Sequence, residues 1–323
     1  MIEADAPEPP LDMPPVAQLH EVCARERFLL EGAHGNLWFE YRSATLFVTF
    51  DNLATLDTPY PRMPWMHDRV KLLGASLLGV QSFRKDWFRQ PTTPAQIAGL
   101  VEQGFFERFE RIIFVGASMG AFAALNFAPL VQGAWVLAFS PQSTMNQRIA
   151  PFEKRFRYSV KRSDWSEPQF LDAATAVPHI AKVAMFYDPL EDEDKRHAAR
   201  LAGPNVQMIP CLGSSHQAIR LVIKCDALPR MMDEFAQTGR LGQAFFKNMR
   251  ARTQVRSWRR TIVDKLAKRN HPKLLLRACD FMLVEKHYGF AQAARRQVLQ
   301  DHPELDVKQS FLDRDAVSDD SLE

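Results

Sequence analysis

The chain has 323 residues, 46% of them hydrophobic and 24% charged, with a formal net charge of +3 and four cysteines. That composition allows one large α/β domain plus an appendage, and no apolar run is long enough to cross a bilayer. The charge is too small to imply a nucleic-acid protein, and Cys23, Cys211, Cys225 and Cys279 show neither metal-ligand nor disulfide-framework spacing, so no metal, cofactor or nucleic acid is expected.

Met1 to Val16 is acidic and proline-rich, without the basic and apolar regions of a signal peptide. It predicts a flexible tail over residues 1–20 and a cytoplasmic protein. The main domain is expected over 21–238. Residues 21–31 read as a short helix or connecting segment. The runs 37–41 and 44–50 read as strands, the second followed by the turn-forming Asp51-Asn52-Leu53. A third strand covers 75–80 and is followed by the aromatic pair Trp87-Phe88. Helical spacing of Ile97, Leu100 and Val101 marks 94–104 as a helix.

Residues 111–115 are apolar and β-rich, the signature of a buried strand. Gly116-Ala117-Ser118-Met119-Gly120 follows at once, and the small residues Ala121, Ala123 and Ala124 predict a helix packed tightly on a sheet. Another buried strand, 134–139, ends in Ser140-Pro141-Gln142. Residues 143–178 are polar, mixed in charge and weakly periodic, and read as a lid-like insertion bordering the site through its aromatic and basic residues. The strand 183–187 ends at Asp188-Pro189, and a charged helix spans 192–201. The strand 206–212 ends at Gly213-Ser214-Ser215-His216, and a helix begins near Gln217. Alternating strands and helices predict a mostly parallel sheet with helices on both faces, whose functional residues gather at the carboxyl ends of the strands.

From about Gly239 the composition turns basic. Val255, Trp258, Ile262 and Leu266 fall at three- and four-residue spacing and give one helix an apolar stripe among Arg and Lys. Runs at 274–283 and 290–299 read as a helical pair, so 239–305 is a basic helical region, followed by a polar, acidic tail over 306–323. The stripe either docks on the protein or offers peripheral contact with an anionic surface or acidic partner. Nothing in the sequence bears on oligomeric state.

Three strand ends carry Ser118, Asp188 and His216, in that order. A serine hydroxyl is a weak nucleophile at neutral pH and needs a base, and the base needs an acid to fix its tautomer. Glycines on either side of Ser118 suit a strand-to-helix turn too tight for a Cβ. The Met119 N–H at the helix start is placed to hold an oxyanion, with a second donor from Asp51 or Asn52. Glu191, Asp192 and Asp194 lie within two turns of Asp188 and are the alternatives for the acid. A dehydrogenase phosphate turn is disfavoured, because that turn follows the first strand of its domain and no Tyr-x-x-x-Lys pair occurs. A packing turn without chemistry is the remaining reading of the motif alone.

With these residues in view, the stretch from Leu37 to Ala236 resembles an α/β-hydrolase-fold serine hydrolase. It is similar to a bacterial group with a Ser-Met-Gly elbow, here Ser118-Met119-Gly120, together with Ser140-Pro141-Gln142, Asp188-Pro189 and Gly213-Ser214-Ser215-His216. Some relatives in that group are associated with surface-polysaccharide or glycoprotein export. Ala121 stands where many relatives have glycine, and the His-Gly-Gly-Gly oxyanion loop of lipases is absent. The resemblance implies an esterase that works through an acyl-serine on a small-molecule or carbohydrate ester. Its alternatives are an acyltransferase to a sugar hydroxyl and a non-catalytic adaptor built on the same scaffold.

Overall fold

The computed structural model describes residues 21–286 and 288–305. The tails expected over 1–20 and 306–323 lie outside the described residues. Eight strands form one sheet in the order β1-β2-β4-β3-β5-β6-β7-β8. They are β1 Arg27–Leu30, β2 Gly35–Glu40, β3 Thr45–Phe50, β4 Ser76–Ser82, β5 Arg111–Ala117, β6 Trp135–Phe139, β7 Lys182–Tyr187 and β8 Val206–Pro210. Antiparallel pairing joins β1 to β2 and β2 to β4, and every other neighbouring pair is parallel. This is a mostly parallel, doubly wound sheet of the α/β-hydrolase type.

Residues 21–24 are helical, in keeping with the short helix expected over 21–31, but 27–30 form the strand β1 instead. Its side chains alternate, with Phe28 and Leu30 buried and Arg27 and Leu29 exposed, and Phe28 pairs with Phe39 across the ladder. A period of two with a partner strand alongside outweighs any helical preference in so short a run.

Both faces of the sheet are covered, so the central strands are buried and largely apolar. On one face Val48, Phe50, Phe114, Val136 and Met185 share a core with Ala121, Phe122 and Leu125. On the other, Phe47, Leu77, Ile113, Leu137 and Phe186 are equally buried. Helices α1 His67–Leu72, α2 Thr92–Glu102 and α3 Met119–Phe127 follow β3, β4 and β5. After β7 and β8 come α4 Asp192–Arg200, α5 Ala218–Lys224, α6 Leu228–Thr238 and α7 Gln243–Asn248. The sheet order reverses around β3, whose neighbours are β4 and β5. The crevice at such a reversal, beyond the carboxyl ends of the strands, is where open α/β sheets bind ligands.

The chain divides into two compact units between Arg250 and Ala251. The first therefore runs past the boundary expected at residue 238. Two hydrogen bonds tie Gln207 of β8 to the Leu241 backbone, and the ring of Phe245 in α7 lies 5.8 Å from that of Phe186 in β7. The second unit has its own core, built on helices α8 Arg256–Lys268, α9 Pro272–Glu285 and α10 Gly289–Asp301. Val263, Leu276, Cys279, Met282 and Val298 fill it, with Ile262 and Leu266 partly buried against them. Much of the expected stripe thus packs inside this unit. Arg259, one of the basic residues beside the stripe, is fully buried. Its Nε donates to the Thr253 carbonyl, and its guanidinium lies 5.2 Å from the centre of the Tyr288 ring. Among the described residues, no helix is long and apolar enough to cross a membrane.

Candidate active site

Strand β5 runs directly into α3, and Ser118 at the junction adopts φ 53° and ψ −117°. A non-glycine residue in that region stores roughly 1–3 kcal/mol of strain. The flanking glycines have concrete reasons. A Cβ on Gly116 would stand 2.1 Å from the Gly120 carbonyl oxygen, and one on Gly120 would stand 2.7 Å from the Phe50 and Asp51 carbonyl oxygens. The turn is locked by the Ser118 N–H, which donates to the Phe139 carbonyl at 2.9 Å, and by the Ser118 carbonyl, which accepts from Ala121 and Phe122.

His216 reaches this serine from the loop after β8. Its Nε2 lies 2.8 Å from Ser118 Oγ, and its Nδ1 lies 2.7 Å from Asp194 Oδ1. An ionised carboxylate accepts only, so the network assigns the proton to Nδ1 and leaves Nε2 free to accept from the serine hydroxyl. The acid beside the histidine is therefore Asp194, in the first turn of α4, and not Asp188.

Asp188 is buried and faces the backbone instead. Its carboxylate accepts from the N–H groups of Leu190 at 2.9 Å, Gly213 at 3.1 Å and Ser215 at 2.7 Å. It thus braces the loop that presents His216. Burial pushes its carboxyl above the ordinary range, with Glu191 adding to this, against the pull of those three N–H groups. Helical phase explains the exchange of acids. Asp194, His197, Ala198 and Leu201 are buried on one stripe of α4, whereas Asp192 points to solvent. That stripe, Asp-x-x-His-Ala-x-x-Leu, was the signal available in the sequence. Burial works to raise the Asp194 carboxyl, but hydrogen bonding and charge from His216, together with the Arg155 guanidinium, hold it below the usual range.

Of the expected oxyanion donors, Met119 is the first residue of α3, and first-turn N–H groups have no intrahelical acceptor. The Asp51 N–H is committed to the Val80 carbonyl at 3.2 Å, which removes it as a donor. Asn52 lines the cavity, and its N–H makes only a long 3.3 Å bond to Thr55 Oγ1. The Asp51 carboxylate has a structural task. It takes Arg62 Nη2 at 2.5 Å and the Ser82 N–H at 3.1 Å, while Arg62 Nε holds the Thr55 carbonyl. Burial raises this carboxyl to about 6, against the pull of Arg62 and the backbone N–H groups of Ser82 and Trp65.

A cavity of about 440 Å³ opens in front of Ser118 and His216. Trp65, Phe156, Ile219 and Ile223 give it apolar walls, and Asn52, Thr55, Gln217 and Arg220 add polar groups. Phe156 belongs to the 143–178 segment, which borders the site. Its ring is centred 5.7 Å from that of His216. Sequence reasoning missed Trp65, Arg155 and Arg220, each lying outside any motif. Among the described residues, no group of three or more His, Cys, Asp or Glu side chains is arranged to hold a metal ion.

The chain matches no protein-family model and no curated protein. Among solved structures, the capsule O-acetyltransferase of Neisseria meningitidis serogroup A is similar with a TM-score of 0.44 and 9% identity, over 65% of this chain and 94% of that one. The Pyrococcus furiosus esterase Pf2001 is similar with a TM-score of 0.44 and 15% identity, over 67% and 92% of the two chains. Est1E from Butyrivibrio proteoclasticus is similar with a TM-score of 0.43 and 11% identity, over 65% and 98%.

Proposed function

We propose that this protein is a serine hydrolase acting on ester bonds, with Ser118 as nucleophile, His216 as general base and then acid, and Asp194 as the group that orients His216. The observation that carries the reading is the unbroken chain of contacts on a strained elbow, 2.8 Å from Ser118 Oγ to His216 Nε2 and 2.7 Å from His216 Nδ1 to Asp194 Oδ1.

In this reaction Ser118 Oγ attacks the ester carbonyl carbon as its proton passes to His216 Nε2. Asp194 stabilises the resulting imidazolium without taking its proton. The carbonyl oxygen becomes an oxyanion, held by the Met119 N–H and by the Asn52 N–H once it leaves Thr55 Oγ1. Collapse breaks the ester C–O bond, and His216 returns the proton to the leaving alkoxide. Water, deprotonated by His216, then attacks the acyl-serine, releases the acid and restores Ser118.

Trp65 and Phe156 with the polar Asn52, Thr55, Gln217 and Arg220 suit an ester joining an apolar group to a hydroxyl-rich one, such as an acylated sugar. A fluorophosphonate probe with mass-spectrometric mapping tests the nucleophile without requiring the substrate. Label is expected at Ser118, and Ser118→Ala and His216→Ala should each lose labelling and aryl-ester turnover while remaining folded. Label at another serine, or full turnover by folded Ser118→Ala, would overturn the proposal.

A further inference from the structure

We infer that Arg155 is a positioning residue of this site, clamping the Asp194 carboxylate in its charged, His216-facing state and making the irregular 143–178 segment part of the catalytic centre. The inference rests on the proposed triad.

Asp194 is 1% exposed. Its Oδ1 receives both His216 Nδ1 and Arg155 Nη1, each at 2.7 Å, while Oδ2 is buried with no hydrogen-bond partner among the described residues. A buried carboxylate with one oxygen unpartnered is costly to keep charged unless a cation stands beside it. Arg155 is that cation. The other edge of its guanidinium is bound to Glu153, by Nε to both carboxylate oxygens at 3.1 Å and by Nη2 to Oε2 at 2.6 Å.

Glu153 is also fully buried, and its Oε2 lies 3.1 Å from His197 Nε2. The Ser143 N–H points at His197 Nδ1 from 3.1 Å, so Nδ1 accepts and Nε2 carries the proton toward Glu153. Burial, reinforced by Arg155, keeps this histidine below its ordinary range, against the pull of Glu153 and Asp194. His197 is thus neutral and supplies no positive charge. The groups facing Asp194 are therefore His216 from the β8 loop, and Arg155 with Glu153 behind it from the 143–178 segment. His197 adds a neutral imidazole from α4 itself.

Two buried anions share one permanent cation. Without Arg155 they would face each other in a medium of low dielectric, and one carboxyl would hold its proton at higher pH. A protonated Asp194 cannot receive the imidazole N–H in its charged acceptor form. Removing the nearby positive charge also makes protonation of the coupled His216–Asp194 pair easier. Both effects displace the acid limb of the pH–rate profile in the same direction, upward.

The experiment compares pH profiles of kcat/KM for an aryl ester in the native protein, Arg155→Met, Arg155→Lys and Glu153→Gln. Fluorophosphonate mapping of the native protein comes first. Arg155→Met should move the acid limb up by about one to three pH units, with kcat reduced and KM little changed. Arg155→Lys keeps the charge and should hold the limb near its native position while losing part of kcat, because an ammonium cannot bridge two carboxylates in a planar fork. Glu153→Gln removes the opposing anion and should move the limb downward. If Arg155→Met fails to fold, the Lys and Gln variants still decide. A limb in Arg155→Lys displaced upward by a unit or more, or an upward shift in Glu153→Gln, would overturn the inference. An unmoved limb in folded Arg155→Met would do the same. Absence of label at Ser118 in the native protein would instead sink the triad reading itself.

Discussion

Two buried carboxylates stand six positions apart after β7, and they serve the same histidine by different routes. Asp188 touches only backbone, through the N–H groups of Leu190, Gly213 and Ser215. Asp194 touches the imidazole and a guanidinium. The first shapes the loop, and the second would set the charge and tautomer of the ring that the loop carries. An acid at the end of a strand is thus no guide by itself to which acid meets the base. The strand end is where backbone N–H groups of the neighbouring loop converge, and a carboxylate there satisfies them before it can reach a side chain.

The comparison breaks most sharply in turnover. Asp194→Asn should cost up to the order of ten-thousand-fold in kcat, the loss known for such a change in a serine protease triad, because the amide favours the wrong tautomer of His216. Asp188→Asn should cost far less in rate below its melting temperature. It should instead lose about 1–3 kcal/mol of stability, since an amide has one acceptor oxygen where the carboxylate has two, and these accept from three backbone N–H groups. Aryl-ester kinetics beside denaturant melts of both variants measure this. Equal rate losses would erase the distinction.

The pH dependence of stability sharpens it further, because the two carboxyls are displaced in opposite directions. Asp194 is held below its ordinary range by His216 and Arg155 against burial. Its contribution is present above the unfolded carboxyl range and is lost as pH falls through the folded one. The deficit of Asp194→Asn relative to the native protein should therefore grow as pH rises across that range. Asp188 is pushed up by burial, so its ionisation opposes folding as pH rises, and the deficit of Asp188→Asn should shrink over the same interval. Melts between pH 3 and 7 would show the two slopes. The smallest effect belongs to Asp192, exposed at the start of α4. Asp192→Asn should leave turnover unchanged and stability within about 0.5 kcal/mol, and a large rate loss there would reopen the assignment of the acid.

The elbow and the acid differ in how far they could be read from the chain. Gly116, Ser118 and Gly120 fall within five residues, and the reason for Gly116 is local, whereas Gly120 also answers to the Phe50 and Asp51 carbonyl oxygens at the end of β3. The clashes that a Cβ would meet at Gly116 lie within the turn itself. Phase on α4 was also local, and the buried stripe through Asp194, Ala198 and Leu201 was legible once charge ceased to disguise it. Strand β1 was not legible in this way. Its four residues acquire their pattern only from pairing with β2. The Asp51 N–H failed as an oxyanion donor for the same kind of reason, because the parallel ladder claims it for Val80. Arg155 belongs to a weakly periodic segment, and its partners Glu153 and Asp194 differ in separation, two and thirty-nine positions away.

The sequence by itself determined the alternation of strands and helices, the strained serine, the histidine at the end of the last strand and the basic helical region beyond. Each follows from period, sterics or composition within a dozen neighbouring residues. Tertiary structure alone decided which backbone N–H groups stay free, and how a cation from the 143–178 segment comes to sit behind the acid that the phase of α4 turns inward. Those outcomes depend on which buried charges and backbone groups converge after folding. Low dielectric and the need to satisfy every buried polar group couple residues far apart in the chain, and no local pattern records that coupling.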